Sequence, residues 1–593
     1  MNFSQYIPDL VTIGPELILC ATILVVLLVD LWRQGRDRTI VWLLAPVVTF
    51  AAIYGVFAAG RAYLENPPPG TAWQTRLENP LWPEFLALVL AYAMVTVGDI
   101  WFRNPEDPSR DRDKWVPGGV AMIGVLLAGY RFWNQAVPVF SATASTETVS
   151  AWGGLVSMDA FALVFRGIIL ASLALSTWFT IFYRPMQRGP ASRGIGEFLV
   201  CLIGAHIGAL LLVTTTNLLF IFVSLEMLSL CSYLQAGMLK GDRRSAEASL
   251  KYVVYGSVAS GMMLFGFSLL YGFAGSMSIL DIAAIVQTIP KQGAAGVLLT
   301  LGLLATIGGL AYKLSLVPFH FWTPDVYQGA PTPTTAFLSV GSKAAAFAIL
   351  LRLLYGFTGD INWTPSLISL LAFGSALTMT YGNFAALRQS NLKRLIAYSS
   401  IAHAGYMLMG VVALFAFTRD PDGTIVSAAF RARGYESILF YLIAYLLMNF
   451  GAFGAIIYLA NRTGSEDIDD ICGLGWKSPW VGAAVIVFLL SLTGVPPTAG
   501  FFAKYYLFAA TIQAGFVWLA VIAALNTILS LFYYFRIAKA LFLKNEQDAL
   551  FEAPHTVLLA GCILVLAALT LYVGVFPERA TTIVEAATSS LRK

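Results

Sequence analysis

Apolar residues along this 593-residue chain gather into long uninterrupted stretches, each broken by a short polar loop. An α-helix rises about 1.5 Å per residue, so about 20 apolar residues cross a hydrocarbon core roughly 30 Å thick. Sixteen stretches approach that length. Fourteen are firm: 14–32, 40–60, 157–183, 196–214, 217–238, 249–272, 296–325, 332–357, 363–387, 395–417, 436–460, 480–510, 515–535 and 555–577. Two weaker ones, 82–102 and 117–133, lie in the segment 61–150, where their longest uncharged runs are Phe85 to Gly98 and Trp115 to Tyr130. The pattern predicts an all-α polytopic membrane protein with 14 core helices and a two-helix insertion.

Composition supports that reading. Hydrophobic residues make up 58% of the chain and charged residues 12%, against about 25% charged in soluble domains. Such a chain cannot coat a soluble enzyme of this size. Basic residues sit singly in short loops, so there is no basic face for nucleic acid. The five cysteines form no CxxC pair, and four histidines are too few and too scattered for a metal cage. Neither GxGxxG after a strand nor GxxxxGK[ST] occurs, so no cofactor is expected in this chain. MNFSQYIPDL carries no Lys or Arg ahead of the first apolar run, which is therefore expected to be a span and not a signal peptide.

Sidedness follows from the loops, because positive loops stay in the cytoplasm. With the N-terminus outside, the inner loops hold 21 basic residues and the outer loops and termini 10. Both termini are expected outside.

Six basic residues fall inside the fourteen firm spans: Arg166, Lys251, Lys313, Lys343, Arg352 and Lys504. A charge at mid-bilayer costs about 2.5–3.5 kcal/mol on insertion scales, so each needs a partner, water or a function. Glu226 sits amid NLLFIFVSLEMLSLCSYLQAG, and Lys251 on the next span is its natural partner. The alternatives are a carboxyl satisfied by Ser224, Ser229 or Ser232, and a lysine that snorkels to the interface. Lys313 and Lys504 each stand near prolines, in AYKLSLVPFHFW and SLTGVPPTAGFFAK, which predict helices broken at mid-membrane. These lysines either cap the carbonyls so freed or exchange protons; the two roles are compatible. Lys343 lies mid-span among Gly341, Ser342 and Ala344, suited to close helix approach. His320, just past Pro318, either relays protons or satisfies freed carbonyls. His403 poses the same choice without a helix break. Arg166 and Arg352 are left out of any path.

The run KLSLVPFHFWTPDVYQGAPTPTTAFLSVGSK, from Lys313 to Lys343, resembles the antiporter-like membrane subunits of respiratory complex I, in detail the N type. SLEMLSLCSY around Glu226, SAEASLKY, NLKRLIAYSSIAHAGYM and GVPPTAGFFAKYYLF fit the same family, and photosynthetic complexes carry a closely similar subunit. The resemblance covers about 155–545. It implies two inverted five-helix repeats with discontinuous helices, joined by a chain of charged residues and water. Carried over, Glu226 and Lys251 would be a coupling pair, Lys313 and Lys343 the central relay, and Lys504 the outer exchange site. The implied domains are N-terminal spans at 1–60, the insertion at 61–150, an antiporter-like core at 151–545, and a last span with its tail at 546–593. The implied function is proton translocation in the bacterial cytoplasmic membrane by a non-redox subunit of NADH:quinone oxidoreductase. NAD, FMN, iron-sulfur clusters and quinone would reside in partner subunits of the membrane arm and beyond. An Mrp-type sodium/proton antiporter subunit and a non-conducting structural subunit are the alternatives.

The insertion has no place on the family pattern, but its charges orient it. Arg103, Arg110, Arg112 and Lys114 share one loop, and Pro67, Pro68 and Pro69 the preceding one. A hairpin that keeps the basic loop inside predicts that a cysteine at Ser109 reacts with an impermeant thiol reagent only from the cytoplasmic side; labelling from outside would refute it.

Overall fold

A computed structural model describes residues 12–33, 116–140, 149–151, 154–187, 194–286, 294–357, 364–414, 427–543 and 556–589. The expected spans 40–60 and 82–102, and Ser109, lie outside these residues. The main helices are α1 (Gly14–Arg33), α2 (Val116–Phe140), α3 (Ala160–Phe182), α4 (Ile195–Val213), α5 (Leu218–Ala236) and α6 (Arg243–Ala274), the last followed by a short helix at Ile279–Val286. They continue with α7 (Ala294–Leu314), α8 (Trp322–Gly329), α9 (Thr332–Phe357), α10 (Thr364–Ala386), α11 (Leu392–Leu414) and α12 (Ser427–Thr463). The last are α13 (Pro479–Thr493), α14 (Ala499–Gln513), α15 (Val517–Leu543), α16 (Thr556–Val575) and α17 (Glu578–Ser589).

Eleven of these, among the described residues, are long and apolar enough to cross a membrane. Three of the fourteen firm stretches are absent from that set for different reasons. Residues 40–60 are outside the described segments, the side chains of α1 are described only as far as Leu27, and 480–510 is divided between α13 and α14. The weak stretch 117–133 is a longer helix than its hydropathy suggested, and α2 packs against α1, α3 and α4. Two small corrections concern the ends. An antiparallel hairpin, Val149–Ala151 with Val156–Met158, precedes α3, and the expected tail forms the amphipathic α17, which buries Ala580, Val584 and Ala587 against the bundle.

Capping side chains set the helix starts. Asp159 accepts from Ala162 N at 2.7 Å, Asn217 from Leu219 N and Phe220 N, and Asp242 from Arg244 N.

The same construction occurs twice. Before α5, Leu218 N donates to Met277 O at 2.8 Å and Ile279 N to Thr216 O at 2.9 Å; before α11, Leu392 N donates to Glu466 O and Ile468 N to Ser390 O at the same distances. Each bond pair ties the start of one helix to the end of the next. The broken helices match as well. After α7, Ser315 N bonds Tyr312 O at 3.0 Å and Leu316 N bonds Ala311 O at 2.9 Å; after α13, Gly494 N bonds Ser491 O and Val495 N bonds Leu490 O at those same distances. Ser315 (φ 63°) and Gly494 (φ 91°) are both left-handed. That conformation is free for glycine and costs serine about 1 kcal/mol, against which Thr323 Oγ1 donates to Ser315 Oγ at 2.8 Å. Both connections contain a cis X-Pro peptide, Val317-Pro318 and Pro496-Pro497. The α5–α6 turn, the end of α8, the start of α11 and the end of α12 line one cavity of about 510 Å³. The start of α5 therefore lies at the far end of the bundle from the start of α11, and the second copy is inverted relative to the first.

Two buried ion pairs hold α3. Arg166 meets Glu16 at 2.7 and 2.9 Å, with side chains 0% and 3% exposed. Arg352 grips the same Asp159 that caps α3, at 2.8 and 3.0 Å. This is why neither arginine enters a path. Breaking a buried pair from one side costs about 3–5 kcal/mol, because it strands the other charge. Arg166→Met is expected to lower the thermal stability of the detergent-purified assembly sharply, and Glu16→Leu with Arg166→Met to recover most of it. Equal stability of the two variants would show that the stranded carboxylate does not set the cost.

Candidate functional site

Glu226, Ser229 and Tyr233 share one face of α5, at spacings of three and four residues. Lys313, buried in the last turn of α7, donates to Ser229 Oγ at 2.9 Å and sits 5.7 Å from the centre of the Tyr252 ring. Glu226 acts electrostatically on this lysine, and its Oε1 is buried without a hydrogen-bond partner among the described residues.

The expected Glu226–Lys251 contact is replaced by another. Lys251 Nζ binds Asp325 of α8 at 2.5 Å and Glu247 at 2.6 Å. Helix rotation explains it. Tyr252 and Gly256 form the face of α6 that meets α5: the two rings Tyr233 and Tyr252 lie 4.7 Å apart, and a Cβ on Gly256 would stand 1.9 Å from the Tyr233 hydroxyl oxygen. Lys251, one residue before Tyr252, points about 100° round the helix, toward α8.

Lys343 is fully buried and donates to both the carbonyl and the hydroxyl of Ser400, each at 2.7 Å. One turn further along α11, His403 Nδ1 lies 2.5 Å from the Tyr441 hydroxyl and Nε2 lies 3.3 Å from the Tyr534 hydroxyl. Tyr534 in turn lies 2.5 Å from Ser399 Oγ. His403 thus belongs to a cluster of hydroxyls and phenols on the helix whose Ser400 holds Lys343.

Lys504, on α14, donates to Thr493 O at 2.8 Å and to Thr527 Oγ1 at 3.4 Å, with its ammonium 4.7 Å from the centre of the Tyr406 ring. It therefore caps the carbonyl that ends α13, across the break. A side branch runs from Tyr406 through Asn383, whose Nδ2 is 3.4 Å from the Tyr406 hydroxyl and whose Oδ1 accepts from Tyr533 at 2.9 Å.

His320 is buried but joins none of these bonds. Its ring packs on Phe321 and edge-on to Tyr381 at 4.4 Å, and both its ring nitrogens are buried without a hydrogen-bond partner among the described residues. Proximity in sequence to Lys313 misled here, because the break turns the intervening residues outward: Phe319 and Phe321 are exposed. Asp325, Ser400, Tyr406 and Tyr534 carried no charge-in-span signal except Asp325, which falls at the very end of the stretch 296–325. His403 was undecided from sequence, and three-residue spacing from Ser400 is what assigns it.

Among the described residues, no group of three or more His, Cys, Asp or Glu side chains is placed to hold a metal ion. What the arrangement provides is a row of ammonium, hydroxyl, imidazole and phenol groups across a bundle interrupted by two broken helices. Lysine suits such a row, since a desolvated ammonium can give up its proton while a guanidinium cannot.

Residues 215–530 match the family model described as "NADH:quinone oxidoreductase/Mrp antiporter, TM". The NADH-quinone oxidoreductase subunit N 2 of Chloroherpeton thalassium is 42% identical over 440 residues, covering 72% of this chain and 80% of the relative. A chain of respiratory complex I from Thermus thermophilus superposes with a TM-score of 0.63 at 30% identity, over 84% of this chain and 97% of that one. A chain of the Mrp complex from Dietzia sp. shares the fold, with a TM-score of 0.64 at 20% identity over 86% of this chain and 97% of that one. The broken-helix architecture is thus common to both assemblies, and the sequence identity decides between them: the chain belongs to the family of NADH-quinone oxidoreductase subunit N.

Proposed function

We propose that the chain is a proton-translocating, non-redox subunit of the membrane arm of a respiratory complex I. It sits in a bacterial cytoplasmic membrane with both termini outside, and neighbouring membrane-arm subunits are its partners. NAD, FMN, iron-sulfur clusters and quinone belong to other subunits, and this chain responds to their chemistry electrostatically. Residues 151–545 form the conducting core.

The observation that carries this reading is the row itself. Lys313, Lys343 and Lys504 are each buried, each bonded to neutral oxygens, and none makes a close ion pair among the described residues. Ammonium groups kept only for structure would be paired, as Arg166 and Arg352 are. A proton entering at the end lined by Lys393 and Glu466 would reach the central groups Lys313 and Lys343, pass His403 with its phenol partners, and leave through Lys504. Glu226, beside Lys313, biases that lysine's charge state. Lys251 with Asp325 lies at the entry end, and His320 lies beside the row.

Two substitutions test this against the structural alternative. Lys313→Met keeps side-chain length and loses the charge. In proteoliposomes of the intact complex it should leave quinone reduction measurable and lower the number of protons pumped per electron. Lys504→Arg keeps a donor for Thr493 O but cannot release a proton, and the same loss is expected with normal assembly. Wild-type pumping by Lys504→Arg would reduce Lys504 to a cap, and failure of both variants to assemble would favour the non-conducting alternative.

A further inference from the structure

The inverted construction allows positions in the two halves to be compared directly. Asp325 stands ten residues beyond the left-handed Ser315, and Lys504 stands ten residues beyond the left-handed Gly494. Each lies on the second piece of a broken helix, α8 or α14, and the inversion puts them toward opposite ends of the bundle. A carboxylate therefore occupies in the first half the station that an ammonium occupies in the second.

Asp325 also joins the halves. Its Oδ2 receives Lys251 of α6 at 2.5 Å and its Oδ1 receives Arg394 of α11 at 2.7 Å. Arg394 is steadied by Gln328 Oε1 at 3.0 Å and lies over the Tyr398 ring, while Lys251 has a second acid in Glu247. α11 is the helix that carries Ser400, His403 and Tyr406. Unlike the sealed Arg166–Glu16 pair, this triad is about one-third exposed, with Lys251 at 35%, Asp325 at 28% and Arg394 at 30%. Lys251 and Glu226 stand at similar depths from the α5–α6 turn, eight residues after the first residue of α6 and ten before the last residue of α5.

We infer that Asp325 is a positioning residue at the entry end of the path, the counterpart of Lys504 in the first half, and that it competes with Glu226 for Lys251. While Asp325 holds Lys251, Glu226 is left to Lys313; when Asp325 keeps Arg394 alone, Lys251 retains Glu247 as its one close acid and can turn toward Glu226. Lys251 stays an ammonium throughout, and only the carboxylate it faces changes. This rests on the proton-translocating reading above.

The test uses the intact complex in proteoliposomes, with protons pumped per electron as the readout beside quinone reduction and assembly. Asp325→Asn should assemble, reduce quinone and pump fewer protons per electron; Asp325→Glu should restore the ratio. Lys251→Met should lower the ratio as Asp325→Asn does, and the double variant should be no worse than either single one, because the two residues act as a unit. An unchanged ratio in Asp325→Asn overturns the inference, as do additive losses in the double variant. If Asp325→Asn does not assemble, Lys251→Met decides: a lowered ratio supports the inference and a wild-type ratio overturns it. Loss of pumping in Lys504→Arg with none in Asp325→Asn would sink this inference alone, whereas normal pumping in Lys504→Arg, Lys313→Met and Asp325→Asn would sink the transport reading with it.

Discussion

An ammonium group inside an apolar bundle is tolerated only where oxygen atoms surround it, and the architecture of this protein meets that demand at three places. Continuous helices offer few such oxygens, since their carbonyls are already bonded along the helix. Breaking a helix frees them: α13 ends at Thr493, and the Thr493 carbonyl receives Lys504 from beyond the break. Lys313, beside the other break, and Lys343, on an unbroken helix, are each given a serine instead, Ser229 and Ser400. Among the described residues none of the three is fixed by a close ion pair, and the close pairs formed by Arg166 and Arg352 lie elsewhere.

The two halves solve the problem with one local design and different residues. Identical bond patterns at Ser315 and Gly494, and at Asn217 and Asn391, show the repeat without reference to overall sequence similarity. Position by position the chemistry diverges, most plainly where Asp325 answers Lys504. A pathway that must take protons from one side and deliver them to the other needs such asymmetry, because two identical inverted halves would have no preferred direction.

Much of this was legible in the sequence, and the limits have physical causes. Hydropathy placed the long spans because burial in lipid demands continuous apolar runs, and the prolines near Lys313 and Lys504 marked both helix breaks. Charges in spans identified the lysines. Contacts were harder, because hydropathy says nothing about helix rotation: Lys251 shares a depth with Glu226 but faces α8, and His320 follows Lys313 in sequence yet lies off the row. Neutral hydroxyls such as Ser400 and Tyr534 are also silent in a charge inventory, although they hold the charges in place. The weak signal of α2 is an averaging effect: Tyr130, Arg131, Asn134 and Gln135 fall within the helix and lower its mean hydropathy, while Val120, Ala121, Val125 and Ala128 are buried.

The central claim is that buried lysines held by neutral oxygens carry protons through this chain, and Lys343 is its purest instance, being fully buried with Ser400 as its recorded hydrogen-bond partner. The most direct measurement is the number of protons pumped per electron by the purified complex in sealed proteoliposomes, compared between wild type and Lys343→Met at matched quinone-reduction rates. The account predicts a lower ratio in a fully assembled complex. An unchanged ratio, with the substituted subunit present at full occupancy, would contradict it.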